Sequence, residues 1–287
     1  MTERVLVIGG TGMLGRFVAR YLMEEGFQVR IMVRDLARAK ERFDEEFELF
    51  AGDVTDLASL EEALEGCYGA HISVGGAADQ ISAENMAALA PRLGLKHVTY
   101  VSGSTVQEEN GWFPMTAQKL AAEEAIGQCG VPYTIFCPTW PMEQLPRFII
   151  NGQAMLVGDR QIPWHWFAGE DFGRMVAKAY QSETAVGKRL YVHGPESITM
   201  KEALERYCEA FYPEIQEIMV MPIDVARAAA EATGNMALGF FAELMAYFQK
   251  VGEPGDPEEA NELLGAPSTT LDDWIGLQQE ATEGEAA

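Results

Sequence analysis

The stretch "VLVIGGTGMLGRFV", residues 5–18, decides the fold. Its first four residues are apolar and mostly β-branched, a short run that suits a buried strand. Gly9, Gly10, Gly12 and Gly15 follow, and from Met13 to Glu25 apolar residues recur at helical spacing. Glycines between a strand and a helix permit a tight turn, close helix–strand packing and a close backbone approach to a bound group. A helix opening there presents unpaired N–H groups and the positive end of its dipole, which suits a phosphate.

The same strand–helix unit repeats along the chain. "FQVRIMVRD" (27–35) reads as a second strand with a charged helix near 36–43, and "FELFAGDV" (47–54) as a third. "TDLASLEEALEG" (55–66) follows as a helix opened by a Thr or Asp cap. "YGAHISVGG" (68–76) gives a fourth strand, residues 81–93 a helix, and "KHVTYVSGS" (96–104) a fifth strand. "FPMTAQKLAAEEAI" (113–126) reads as the next helix and "PYTIFCP" (132–138) as a sixth strand. Alternation of this kind specifies an α/β fold with a doubly wound parallel sheet, whose ligands bind at the carboxyl ends of the strands.

Beyond about residue 140 the alternation loosens. "AMLVGDRQIPWHWFA" (154–168) reads as a small hairpin or strand-loop and "GEDFGRMVAKAYQ" (169–181) as a helix. "KRLYVHGPESITMKEALERYCEAF" (188–211) reads as strand, turn and helix, with Ser197 or Thr199 as cap. Residues 224–251 read as one long apolar helical stretch: a lid, an interface in a homodimer, or ordinary core. The expected organisation is a dinucleotide-binding domain over 1–140 and a substrate-binding lobe with C-terminal helices over 141–275, interleaved with the sheet. A disordered acidic tail is expected over 276–287.

Composition narrows the function classes. In 287 residues, 48% are hydrophobic, enough for a packed core, and the formal net charge is -23. So acidic a chain argues against nucleic acid and against anionic membrane surfaces, because both need clustered Lys and Arg. The four cysteines, Cys67, Cys129, Cys137 and Cys208, show no C-x-x-C pair or metal-ligand spacing, so reduced thiols and no metal are expected. No apolar run is long enough to span a bilayer and no leader precedes the first strand; a cytoplasmic location is expected.

The end of the second strand bears on the choice of cofactor. A site for NAD(H) usually places an acid there to accept from the ribose 2′-hydroxyl. Here Arg34 takes that place, with Asp35 next to it and Arg38 and Lys40 on the following turn. Guanidinium groups suit a 2′-phosphate, so NADP(H) is favoured, with NAD(H) as the alternative. Thr11, Met13 and Leu14 complete the turn that faces the phosphates. Asp53 and Val54 suit the adenine edge, although Asp53 is equally readable as a helix cap. Ser73, Val74 and Gly75 line the path towards the nicotinamide ribose.

Taken together, these residues resemble the atypical short-chain dehydrogenase/reductases, and within them the NmrA-like family. "GGTGMLG", the "VRD" end of strand two, "GDVTD", "YVSGS", Lys119 with Glu123, "GVPYTIFCPTWPMEQL" and "EDFGRMVAKAY" carry the resemblance, over roughly residues 4–210. It implies a Rossmann domain with a small C-terminal substrate lobe and a preference for NADP(H). Members of the family are reductases of quinones and plant phenolics, or regulators that bind the cofactor as redox sensors.

In the wider superfamily a Ser, a Tyr and a Lys four residues later do the chemistry. Ser104 matches the serine and Lys119 the lysine, while Met115 stands where the tyrosine would be. A thioether cannot donate a proton, which excludes the tyrosine-acid mechanism at that position. By resemblance Lys119 orients the ribose or acts as an acid; the bland alternative is a solvated helix lysine paired with Glu123. Pro138, Thr139, Trp140 and Met142 fall where the family's nicotinamide and substrate contacts lie. Trp164, His165 and Trp166 could wall a flat aromatic pocket, with His165 as a proton donor, or could be core packing. His71, His97 and His193 are read as structural.

The expected function is an NADPH-dependent reductase of a small apolar carbonyl, quinone or conjugated acceptor. The alternative is a non-enzymatic NADP(H) sensor acting through a protein partner.

Overall fold

The computed structural model describes residues 3–43 and 46–286. Five strand–helix units open the chain: β1 (Arg4–Ile8) and α1 (Gly15–Glu24), β2 (Gln28–Val33) and α2 (Leu36–Lys40), β3 (Glu48–Ala51) and α3 (Leu57–Leu64), β4 (Gly69–Ile72) and α4 (Ala78–Leu93), β5 (His97–Val101) and α5 (Pro114–Gln128). β6 (Tyr133–Pro138) ends this run. Four strands follow: β7 (Trp140–Pro141), β8 (Ile149–Ile150), β9 (Gln153–Val157) and β10 (Pro163–Phe167). After α6 (Gly169–Ala179) and β11 (Lys188–Val192) come β12 (Glu196–Thr199), α7 (Met200–Phe211) and β13 (Met219–Met221). The chain ends in α8 (Ile223–Thr233), α9 (Met236–Val251), α10 (Glu258–Leu264) and α11 (Leu271–Ala286).

Two compact units share these elements. The first comprises residues 1–138, 169–192 and 256–266; the second comprises 139–168, 193–255 and 267–287.

The first unit holds a seven-stranded sheet in the order β11-β6-β5-β4-β1-β2-β3, parallel throughout. This is the doubly wound α/β order, reversing direction at β1 and β4. Val5, Leu6, Val7 and Ile8 are all buried, as a strand covered on both faces requires. One face buries Leu60, Met86, Leu89 and Ile126 from α3, α4 and α5. On α1 and α6, Phe17, Val18, Leu22, Phe172, Met175 and Val176 are also buried. A Cβ on Gly173 of α6 would lie 2.7 Å from the Phe17 carbonyl carbon, so the two helices run in near backbone contact. Helix starts follow local capping chemistry: Asp35 accepts from the Arg38 N–H and Asp56 from the Ala58 N–H. Asp56, not Asp53, caps α3; the Asp53 carboxylate accepts from the Thr55 N–H and hydroxyl instead.

In the second unit, β9 and β10 do not pair with each other, so of the two readings of 154–168 the hairpin does not form and the strand-loop holds. β10 joins β12 and β7, whereas β9 joins β13 and β8. The aromatic stretch splits because strand side chains alternate between faces. Trp164 and Trp166 are buried, and Trp140 packs against both at ring-centroid distances of 6.3 and 6.0 Å. His165 points to the opposite face and is partly exposed. The stretch 224–251 is two helices, broken where Gly234 turns at φ 65° and Asn235 caps α9. α9 buries Ala242, Met245 and Tyr247 and leaves Met236 and Phe240 exposed. α11 runs through the stretch expected to be disordered; Leu271, Trp274 and Ile275 anchor its start in the core, and Ala287 lies outside the described residues. Among the described residues no helix is long and apolar enough to cross a membrane.

A buried polar ladder crosses the sheet. His71 bonds Thr99 at 2.8 Å, Thr99 bonds Tyr180 at 3.0 Å, and His97 bonds Thr134 at 2.9 Å. Burial lowers the His71 pKa to about 3 and that of His97 to about 4, from 6.5. Above 6.5 neither the folded nor the unfolded state protonates these rings. Between 6.5 and about 4 the unfolded chain alone takes the protons, so stability falls as pH falls, by at most about 1.4 kcal/mol per pH unit for each ring. Denaturant titrations across that window should show the fall, and His97→Gln should make it shallower. An unchanged slope in the variant would remove His97 from the account.

Candidate functional site

The glycine turn fixes the site at the carboxyl ends of β1 and β4. Gly9 has φ +84°, and a Cβ there would sit 2.0 Å from the Ser73 carbonyl oxygen. A Cβ on Gly15 would lie 2.2 Å from the Gly9 carbonyl oxygen, so α1 begins as close to the turn as a backbone can come. Thr11 and Gly12 remain exposed above it, and the first turn of α1 carries no acid. This is the local geometry that receives an anion.

A cleft of about 330 Å³ opens beside the turn. Of the residues singled out in the sequence, it is lined by Gly9, Thr11, Arg34, Asp53, Val54, Val74 and Gly75. Met32 and Val33 of β2, Thr55 and Ala78 complete the wall together with Ile8 and Gly52. Gly10, Gly12, Met13, Leu14, Ser73 and Arg38 are not part of that lining. Asp35 caps α2 through one carboxylate oxygen, and of the two charged residues at the end of β2 it is Arg34 that lines the cleft. The Thr55 N–H and hydroxyl hold the Asp53 pKa below its ordinary value, with a smaller contribution from the Arg34 charge. A backbone cradle for an anion, an apolar wall and an adjacent guanidinium form the donor set that a phosphorylated dinucleotide needs.

Lys119 lies in a closed cluster at the end of β5. Its Nζ contacts Asp79 Oδ2 at 2.7 Å and donates to the Val101 carbonyl at 3.0 Å and to the Tyr100 hydroxyl at 3.4 Å. Tyr100 in turn donates to Asp79 Oδ1 at 2.7 Å. The side chains of Lys119 and Asp79 are only 14% and 3% exposed. Burial first, and then the Asp79 charge, push the Tyr100 pKa well above its ordinary value. The expected alternative, a solvated Lys119–Glu123 pair, is not what forms. Glu123 accepts from Ser102 and pairs with Arg189 at 2.8 Å. Arg189 also donates to the Tyr191 hydroxyl at 2.6 Å.

The remaining sequence candidates fall in different surroundings. In the first unit Ser104 is buried, its N–H donating to the Pro138 carbonyl at 3.0 Å, and Met115 is half-buried on the first turn of α5. In the second unit Met142 is fully buried, and Trp140 and Trp164 pack around Phe248. Thr139 donates its hydroxyl proton to the His165 carbonyl. His165 Nδ1 lies 2.5 Å from Glu253 Oε2. Sequence reasoning missed Asp79, Tyr100 and Glu253. Asp79 and Tyr100 look like an ordinary helix acid and strand aromatic, and only the parallel pairing of β4 with β5 brings them to Lys119.

A buried ion pair broken on one side leaves a charge without its partner. Asp79→Asn should therefore lower unfolding stability by about 3 kcal/mol. In a double-mutant cycle, Asp79→Asn with Lys119→Gln should show a coupling of at least about 1 kcal/mol. Additive losses in denaturant unfolding would mean that neither charge depends on the other.

Comparison with known proteins extends this picture. A (4-alkanoyl-5-oxo-2,5-dihydrofuran-3-yl)methyl phosphate reductase of Streptomyces griseus is 27% identical over 286 residues, covering 96% of this chain and 98% of the relative. A photosystem II assembly factor, Ycf39 of Trieres chinensis, is 23% identical over 82% of this chain and 77% of its own length. Among solved structures, the triphenylmethane reductase of Citrobacter sp. in complex with NADP(H) superposes with a TM-score of 0.76 at 19% identity, covering 96% of this chain and 99% of the other. That likeness is one of fold. Residues 1–275 match the sequence profile of the NmrA-like family, and with its glycine turn and doubly wound sheet the chain belongs to that family.

Proposed function

We propose that this chain is an NADPH-dependent reductase of a small apolar carbonyl, quinone or conjugated acceptor. The observation that carries the reading is the cleft beside the glycine turn, which Arg34 lines and Asp35 does not. The reductase of Streptomyces griseus and the NADP(H) complex of the Citrobacter enzyme support it.

Bound here, the cofactor would supply a hydride to the acceptor. The chain's own residues bind and orient. The exposed backbone at Thr11 and Gly12 faces the pyrophosphate, Arg34 the 2′-phosphate, and Val54 the adenine. Val74 and Gly75 continue towards the nicotinamide ribose. Lys119 is held by Asp79, Tyr100 and the Val101 carbonyl at the end of β5. Met115, a thioether, cannot supply a proton to the acceptor. A quinone needs no protein acid, since its reduced form takes a proton from water; this makes quinones the favoured acceptors among the three classes.

Two measurements test the reading. Arg34→Ala should weaken NADPH binding at least tenfold while leaving NADH binding nearly unchanged, by fluorescence or calorimetric titration. Purified protein should also oxidise NADPH in the presence of a panel of quinones and conjugated carbonyls. Tight NADPH binding with no turnover across the panel would replace the enzyme by a cofactor-binding sensor that works through a protein partner.

A further inference from the structure

Among the described residues, three ligating side chains from distant parts of the sequence converge in the second unit. His165 lies on β10, His193 immediately precedes the turn into β12, and Glu253 follows the end of α9. One donor atom of each lies within 4.8 Å of the other two. We propose that His165, His193 and Glu253 form a binding site for a divalent transition ion of the zinc class.

The geometry supplies the parts such a site needs. The two imidazole rings stack at a centroid distance of 5.3 Å with 21° between their planes, and a nitrogen of each lies within 4.8 Å of a nitrogen of the other. The Glu253 carboxylate is fastened from behind: Oε1 accepts the His165 backbone N–H at 2.7 Å. Its other oxygen is thereby held in place, 2.5 Å from His165 Nδ1. Nearly buried Glu253 and His193 form the floor, and the partly exposed His165 leaves a way in.

Donor chemistry selects the metal. Two imidazoles and one carboxylate match zinc sites that keep a fourth position for water, whereas magnesium and calcium prefer oxygen ligands throughout. With metal–ligand bonds of about 2.0–2.2 Å, the donors furthest apart would close on the ion and the close His165–Glu253 pair would open to admit it. The Glu253 carboxylate, on a chain of net charge -23, also favours a cation.

Binding is an exchange with defined bookkeeping of atoms. The ion forms bonds to one nitrogen of each imidazole and to Glu253 Oε2 and gives up water from its own shell; each ring keeps its single N–H on the nitrogen that does not bind the ion. No electron is transferred. The ion would tie the segment after α9 to β10 and to the residue before β12. This inference stands apart from the proposed reductase activity, since none of its three ligands lines the cleft beside the glycine turn.

The test uses the full chain, stripped with EDTA and titrated with Zn²⁺ and Co²⁺ by calorimetry and visible spectroscopy. The expected result is one tight equivalent per chain and a Co²⁺ spectrum unlike that of the aquated ion. Glu253→Gln should weaken that equivalent at least tenfold, while Glu217→Gln, an exposed acid elsewhere in the second unit, should leave it unchanged. Several weak equivalents with an aquated Co²⁺ spectrum would overturn the proposal and leave His165–Glu253 as a hydrogen-bonded pair. Should Glu253→Gln fold poorly, the wild-type chain still decides: Zn²⁺ must raise its melting temperature, and no rise at saturating metal overturns the site.

Discussion

The backbone at Gly9 passes so close to Ser73 that no side chain fits between them, and the organisation of the first unit follows from that contact. It joins the ends of β1 and β4, where the strand order reverses. Gly15 then lets α1 begin directly against the turn, which aims the helix at the same point. A cleft at this switch is a geometric consequence of neighbouring connections leaving in opposite directions. The turn itself is tight: its glycines let the backbone close up, and the Gly12 N–H donates to the Gly9 carbonyl at 2.9 Å.

Beside this open region lies a closed one. An ammonium has three protons, and Lys119 places them on Asp79, Val101 and Tyr100. The tyrosine returns its own proton to Asp79, so within the cluster donors and acceptors match. In a low-dielectric interior such a matched set holds its geometry firmly, since every alternative leaves a polar group unpaired. Lys119 is thereby fixed at the end of β5. Met115, a thioether, stands where the superfamily's tyrosine would be, so the usual tyrosine acid is not built into this helix.

Much of the first unit was legible in the sequence because its signals are local. Continuous apolar runs ending in glycine mark buried parallel strands, and Asp35 and Asp56 mark helix starts within one turn. The cleft residues were legible for the same reason, since each follows a strand end. Failures occurred where the outcome depended on pairing between distant segments. β9 and β10 sit near each other in sequence yet join different sheets, because better partners arrive later in β12 and β13. For Trp164, His165 and Trp166 a pocket wall and core packing were both open readings; the two-residue period of a strand puts the tryptophans in the core and leaves His165 partly exposed. Asp79 carries no local mark of its role, and Glu253 reaches His165 only once α9 is in place. The apolar stretch 224–251 hid a break because Gly234 and Asn235 form a helix stop and a helix start in adjacent positions.

The chain passes between its two units five times, at residues 138, 168, 192, 255 and 266. This ordering has a consequence for synthesis. As the polypeptide leaves the ribosome, β6 emerges with one edge unpaired, and its partner β11 arrives only after a long excursion through β7 to β10. During that interval a buried apolar strand presents open N–H and C=O groups, the pattern that recruits foreign strands. The nascent chain is most exposed to misassembly there, and the high acidity of the whole sequence acts as a guard through mutual repulsion between copies. Neither unit is a continuous piece of chain, so neither can be cut out at a single boundary and be expected to fold alone.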